Sequence, residues 1–196
     1  MQKKTLRLAG DCACHASRRS FVAGLAGILA LPFAAPAFAR TIDSDDERFM
    51  RLALDEARRA DFPFGAIIVR DGKVIGSGGN HGHTHRDPTA HGEMVAIRNV
   101  VASPGSAALR GATLYTTGEP CPMCMGAIIW CHIGRVVYAA SIAQLATLMD
   151  QIMLPSAEIA ARAAFAPVAI TGGVLADEAM ALFRERMGKP AIPAQR

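Results

Sequence analysis

Beyond its first forty positions the 196-residue sequence has no run of basic residues, and nowhere does it string together the ~20 apolar residues that a bilayer-spanning helix needs. The first absence removes the electrostatic footprint on which affinity for a phosphate backbone rests. The second argues against a span for the N-terminal apolar run. No internal repeat or second domain is visible, and Trp130 is the only tryptophan. Cysteine is sparse: Cys12 and Cys14 lie near the start, and Cys121, Cys124 and Cys131, an odd number, lie beyond.

Residues 1–39 read as an address rather than as part of a domain. Lys3, Lys4 and Arg7 lead to Ser17-Arg18-Arg19-Ser20-Phe21-Val22, then to an apolar run over residues 24–38 that contains Pro32 and Pro36 and closes on Ala37 and Ala39. This arrangement resembles a twin-arginine export signal cleaved after Ala39. It implies the twin-arginine export machinery as a partner, the periplasm as destination, and residues 40–196 as the exported domain, its metal filled before translocation. A retained membrane anchor is the alternative. Cleavage removes five basic residues and one acidic one and leaves 16 of each. A small uncharged substrate fits such a surface better than RNA, and no nucleic acid partner is expected.

Residues 46–60 carry Phe49, Leu52, Ala53, Ala57 and Ala60 at helical spacing, with Glu47/Arg51 and Asp55/Arg59 paired on the polar side. Pro63 ends that helix. Residues 64–70, a turn at Asp71-Gly72-Lys73 and residues 74–78 predict a hairpin. The glycine, histidine and asparagine cluster over residues 76–87 reads as a loop. A helix follows His91, with Met94, Val95, Ile97, Val100 and Val101 toward the core, and Pro104-Gly105 stops it. Next come a strand (112–117), a helix (122–132), a strand (135–140), two short helices (144–149, 156–164), a strand (168–171) and a last helix (175–187). Strands alternating with helices predict an α/β domain, one sheet covered on both faces.

The chemistry concentrates in His91-Gly92-Glu93 and Pro120-Cys121-Pro122-Met123-Cys124. Cys121 and Cys124 are three apart, so a helix starting near Pro122 points both sulfurs to one side of its first turn, where the positive helix end favours thiolates. With His91 they supply three ligands for one Zn2+ per chain and leave a fourth position for water, whose pKa zinc lowers toward ~7. Glu93 is the candidate catalytic proton carrier, taking the water proton and handing it to a ring nitrogen and a departing amine. Thiolate coordination would also keep Cys121 and Cys124 from oxidising in a disulfide-permissive compartment. Alone, the cysteine pair reads as well as a redox or structural motif, and a structural zinc would leave Glu93 without a role. Cys131, among Ile128, Ile129, Trp130 and Ile133, reads as a buried inert thiol rather than a third sulfur ligand.

Phe62-Pro63-Phe64-Gly65-Ala66, Asn80, Thr89-Ala90-His91-Gly92-Glu93 and Glu119-Pro120-Cys121-Pro122-Met123-Cys124-Met125-Gly126-Ala127 together resemble the cytidine deaminase superfamily, most of all its guanine deaminase and transfer-RNA adenosine deaminase branch. The resemblance covers residues 46–140 and fades beyond. It implies a three-layer α/β/α fold with a central mixed five-stranded sheet, zinc on His91, Cys121 and Cys124, Glu93 as proton shuttle, and at least a homodimer. It nominates substrate-binding residues: Asn80 on the ring, Phe64 as a wall, backbone near Ala66 and Ala90, Trp130 as an aromatic plane, and Asp150 as the match to an aspartate that recognises guanine. Plainer readings stand beside these. Phe64 can be core, Asn80 a turn former, Trp130 an anchor of the core or a dimer seam; Asp150 needs a small shift, Ile152 falling there without one. Gly92 stands where the superfamily usually has alanine, which removes a methyl beside the metal. Residues 142–167 depart from the guanine deaminase pattern where substrate selection is expected.

The expectation is zinc-dependent hydrolytic deamination of a free nucleobase or related aminated heterocycle, guanine foremost. The alternatives are transfer-RNA adenosine, cytosine or a pterin as substrate, or a non-catalytic periplasmic protein that binds metal or base and uses His81, His83 and His85 as a further metal-binding stretch. Export and balanced charge oppose the RNA reading; the intact Glu93 opposes the non-catalytic one.

Overall fold

Asp45, Asp46 and Glu47 open the first helix and Arg58 and Arg59 close it, the charge order that complements a helix macrodipole. In the computed structural model, which describes residues 44–187, this helix is α1 (Ser44–Arg59). The signal-like segment 1–39 and the tail 188–196 lie outside the described residues. There follow β1 (Phe62–Arg70), β2 (Lys73–Asn80), α2 (Gly92–Ala102), a 3-10 turn (Ser106–Leu109), β3 (Thr113–Gly118), α3 (Pro122–Trp130), β4 (Arg135–Ala140), α4 (Ile142–Leu145), α5 (Ser156–Ala161), β5 (Ala169–Gly172) and α6 (Ala176–Met187). No described helix is long and apolar enough to cross a membrane.

The sheet runs β2-β1-β3-β4-β5, with β1 antiparallel to both neighbours and β3, β4 and β5 parallel. This is the mixed five-stranded sheet expected. Asp71 and Gly72, at φ 50° and 72°, make the tight turn that matches the twist of the β1–β2 hairpin. Strand alternation sends Ile67 and Val137 to one face, where Met50 and Leu54 of α1 and Phe183 of α6 cover them. It sends Ile68, Leu114 and Val136 to the other, under Ala96 and Val100 of α2 and Ile128 of α3. Two cores on opposite faces make the three layers.

Several boundaries differ from the sequence reading. The glycine-rich stretch is not a loop at residue 76: β2 continues to Asn80, paired Ala66 with Gly78 and Gly65 with Gly79. Its glycines let helices lie directly on the strand, for a Cβ on Gly78 would stand 2.5 Å from Ala96 N and 2.8 Å from Gly92 O. Pro63 lies inside β1, at a break in register between Phe62 and Gly65. There the Thr117 hydroxyl donates to Pro63 O and accepts from Gly65 N, replacing the missing ladder bond. Leu52 and Val101, expected inside, are exposed, whereas Met50, Leu54 and Ala96 take core positions. The helix placed at 144–149 begins instead at Ile142, because Ser141 and Gln144 form a capping box.

Candidate metal centre

The parallel strands β3 and β4 end at Gly118 and Ala140, and the chain leaving β3 turns at once into Glu119-Pro120-Cys121. Cys121 is the N-cap of α3 with Pro122 in its first turn, and His91 is the N-cap of α2; both have extended backbone, ψ 166° and 156°. The His91 side chain makes no cap bond to its own helix, and it meets the Cys121 sulfur in the space between the two helix N-termini. Cys124, one turn into α3, completes the group: among the described residues His91, Cys121 and Cys124 alone bring three such donors within 4.8 Å of one another.

The distances fit zinc. His91 Nδ1 lies 3.7 Å from Cys121 Sγ and 3.6 Å from Cys124 Sγ. Zinc–sulfur and zinc–nitrogen bonds of ~2.3 and ~2.0–2.1 Å at a tetrahedral angle require about 3.6 Å. Cys121 is held down to about 4 by the neighbouring Cys124 foremost and by His91, while the same neighbour and burial push Cys124 up. Cys121 thus carries the thiolate character suited to a soft cation, and Cys124 would give up its thiol proton on binding one.

Glu93 is not among the three. It lies on the buried face of α2, and burial raises its pKa; Oε1 accepts from the Thr116 hydroxyl at 3.2 Å and Oε2 from Cys124 Sγ at 3.6 Å. A carboxyl beside the ligand group but outside it, held by a strand hydroxyl, is poised to exchange protons there. Thr116 and Glu119 were missed as site residues. Glu119, buried, accepts from Ile142 N through Oε2 and from Ser156 N and Oγ through Oε1, all at 2.8–2.9 Å. It pins both ends of the segment 142–156 two residues before Cys121.

The nominated substrate residues divide. Asn80 is buried at the end of β2, its Oδ1 accepting from Gly82 N at 3.1 Å, so the turn-forming role is present; among the described residues its amide nitrogen donates to nothing. Ala66 is buried, paired with Gly78 and Thr116, next to the residue that holds Glu93. Ala90 donates its N–H to Asp87 O, and its carbonyl accepts from His81 N. Phe64 is half-buried and packs edge-on against Phe183 with centroids 4.8 Å apart, which gives one side of the ring to the core. Asp150 is exposed in the loop after α4. Trp130 is 74% exposed, tilted against the exposed Phe165 with centroids 5.3 Å apart, so it does not anchor the core. It stands about 9 Å along the helix axis from Cys124. Gly92 does not face the metal: a Cβ there would meet Phe64 O at 3.0 Å and Gly78 O at 3.2 Å, so its missing methyl brings α2 onto the hairpin. Cys131 is a free, half-buried thiol, raised by burial and outside the ligand group.

Residues 43–140, half of the chain, match the family model described as the cytidine and deoxycytidylate deaminase zinc-binding region. The chain belongs to this deaminase family. It is 51% identical over 78 residues to guanine deaminase of Bacillus subtilis, 40% of this chain and 50% of that one. It is 44% identical over 101 residues to the tRNA-specific adenosine deaminase of Haemophilus influenzae, 49% and 58% of the two. The chain thus spans about half the length of these curated relatives. The solved guanine deaminase from Nitrosomonas europaea superposes with a TM-score of 0.65 at 25% identity, over 72% of this chain and 84% of that one. The deaminase fold accounts for the sheet order and for the paired helix N-termini that carry the ligands.

Proposed function

We propose that this deaminase-family chain hydrolytically removes the amino group of a free nucleobase or related aminated heterocycle, guanine foremost. The observation that carries the reading is the pairing of a three-donor zinc geometry with a buried carboxyl, Glu93, that touches the ligand group without joining it. Likeness to guanine deaminases, in sequence and in fold, supports the substrate. Zinc, held by His91, Cys121 and Cys124, would supply the Lewis acidity that activates water.

The chain's own residues supply the proton traffic. Glu93 accepts a proton from the attacking water as its oxygen adds to the amine-bearing ring carbon, and delivers that proton to the adjacent ring nitrogen. It then passes the second water proton to the amine, the carbon–nitrogen bond breaks, and ammonia leaves an oxo ring behind. Thr116 keeps Glu93 aimed, and Asn80 offers its free amide nitrogen to the ring. Ammonia release by the zinc-loaded protein is the test, against guanine, adenine, cytosine, their nucleosides, pterins and aminotriazines. Guanine should respond, and Glu93→Gln should be silent at unchanged zinc content. Release from no member of the panel overturns the reading.

A second reading, deamination of adenosine in transfer RNA, is favoured by the likeness to the Haemophilus influenzae enzyme and opposed by the charge balance beyond residue 39. Transfer-RNA inosine formation assayed with the same protein separates them. Residues 1–39 complete the proposal as a twin-arginine signal that takes the domain to the periplasm, and fractionation of cells carrying Arg18→Lys/Arg19→Lys should leave the precursor in the cytoplasm. The exposed Trp130–Phe165 pair suits the seam of a homodimer.

A further inference from the structure

We propose that the turn at residues 81–86 is a second metal site, in which the imidazoles of His81 and His85 chelate one divalent late transition-metal cation. The two histidines are four apart, and the turn that carries them is helical in its bonding: His85 N donates to His81 O at 2.8 Å. Their ring centroids are 5.2 Å apart with planes tilted by 44°. With metal–nitrogen bonds of ~2.0–2.1 Å, a cation between the rings stands about 3.2 Å from each centroid, which makes the angle at the cation about 110°. That is a chelating angle, and paired neutral imidazoles suit Zn2+, Ni2+ and Cu2+.

The turn is built before any cation arrives. Arg86 N donates to His83 O at 3.1 Å, Asp87 N to Gly82 O at 3.0 Å, and Gly82 N to Asn80 Oδ1 at 3.1 Å. Asp61 fastens it from outside, both carboxylate oxygens accepting from Thr84, N and Oγ1, at 2.7 Å. Burial works to raise the Asp61 pKa, but the Thr84 bonds foremost draw it down, so an anion faces the His81 side of the turn. His83 is exposed, and its ring takes no part in the pair. Two protein ligands make a weaker site than the three-donor group at His91, with water filling the other positions. The bond from His81 N to Ala90 O ties the turn to the residue before His91, so a bound cation would fasten the loop joining β2 to α2. The inference stands apart from the deaminase reading, since it rests on neither Glu93 nor the substrate.

The experiment is uptake of Ni2+ by the zinc-loaded full chain, followed by titration calorimetry and by nickel and zinc content per chain. The wild type should take up one nickel more than either His81→Ala or His85→Ala, and His83→Ala should match the wild type. All four proteins are first brought to one zinc per chain, held by His91, Cys121 and Cys124, and that zinc should stay. Because each comparison changes one exposed or half-exposed ring, metal held elsewhere in the chain cancels. Copper should bind more tightly than nickel, and nickel more tightly than cobalt. Equal uptake by wild type, His81→Ala and His85→Ala would overturn the proposal, as would a loss that follows His83→Ala alone.

Discussion

Glu93 and Thr116 form the smallest unit on which the proposed chemistry turns. A buried carboxyl must be aimed as well as present, and among the described residues the Thr116 hydroxyl is its one strand-borne partner. Thr116→Val keeps the volume and removes the bond, so kcat should fall on the order of tenfold, the kinetic equivalent of one hydrogen bond of ~1.5 kcal/mol to a charged group, while KM and zinc content hold. A fall in KM-dependent terms alone would show Thr116 acting on substrate rather than on Glu93. The grouping of His91, Cys121 and Cys124 was legible because positions three apart at a helix start share one side and His91 caps a second helix start, with Glu93 beside them. Thr116 was not, because it reaches Glu93 across 23 residues of chain and nothing in a strand threonine marks it. For Trp130 the place after the cysteines says which helix it is on, but not that the face it occupies is open to solvent.

At the scale of elements, the glycines of β2 decide how α2 delivers His91. Their low strand propensity made them read as loop, yet what they supply is room for a helix backbone, a property of the neighbour rather than of the strand. Gly78→Ala would press a methyl into Ala96 N and Gly92 O, and should cost about 1–3 kcal/mol by overpacking, a drop of roughly 2–10 °C in melting temperature. Zinc content should fall with it if α2 shifts. The loop between β2 and α2 depends in turn on Asp87, which accepts from Thr89 Oγ1 and N and pairs with Arg98. The Thr89 bonds foremost, then Arg98, hold its carboxyl below its ordinary value of 3.8. A depressed carboxylate stabilises the fold above the unfolded pKa and loses that contribution as pH falls through the folded one. The loop should therefore hold at pH 5 and loosen below about 3.8, read as loss of hydrogen-exchange protection relative to the intrinsic rate at Thr89 and Ala90 in wild type; Asp87→Asn should lack that protection already at pH 5.

Across the whole molecule, the two ends of the sheet do different work. The ends of β3 and β4 that carry Gly118 and Ala140 lead into the metal centre, whereas the opposite ends, at Thr113 and Arg135, are locked by charge. Asp46 of α1, almost fully buried, accepts from Arg135 at 2.7 and 2.6 Å and from the Tyr115 hydroxyl at 2.9 Å, and Arg135 also reaches Thr171 of β5. One carboxylate thus joins α1 to β3, β4 and, through Arg135, β5. The alternation of strand and helix made the layers legible, but not this lock, whose partners lie 69 and 89 residues apart. Asp46→Asn strands the Arg135 charge inside the protein, where loss of one member of a buried pair costs about 3–5 kcal/mol. Denaturant unfolding should show that loss, and zinc content and kcat at low temperature should not change, because the lock and the metal centre sit at opposite ends of the sheet. A variant that loses zinc or turnover before it loses stability would mean that the two ends are coupled through β3 and β4.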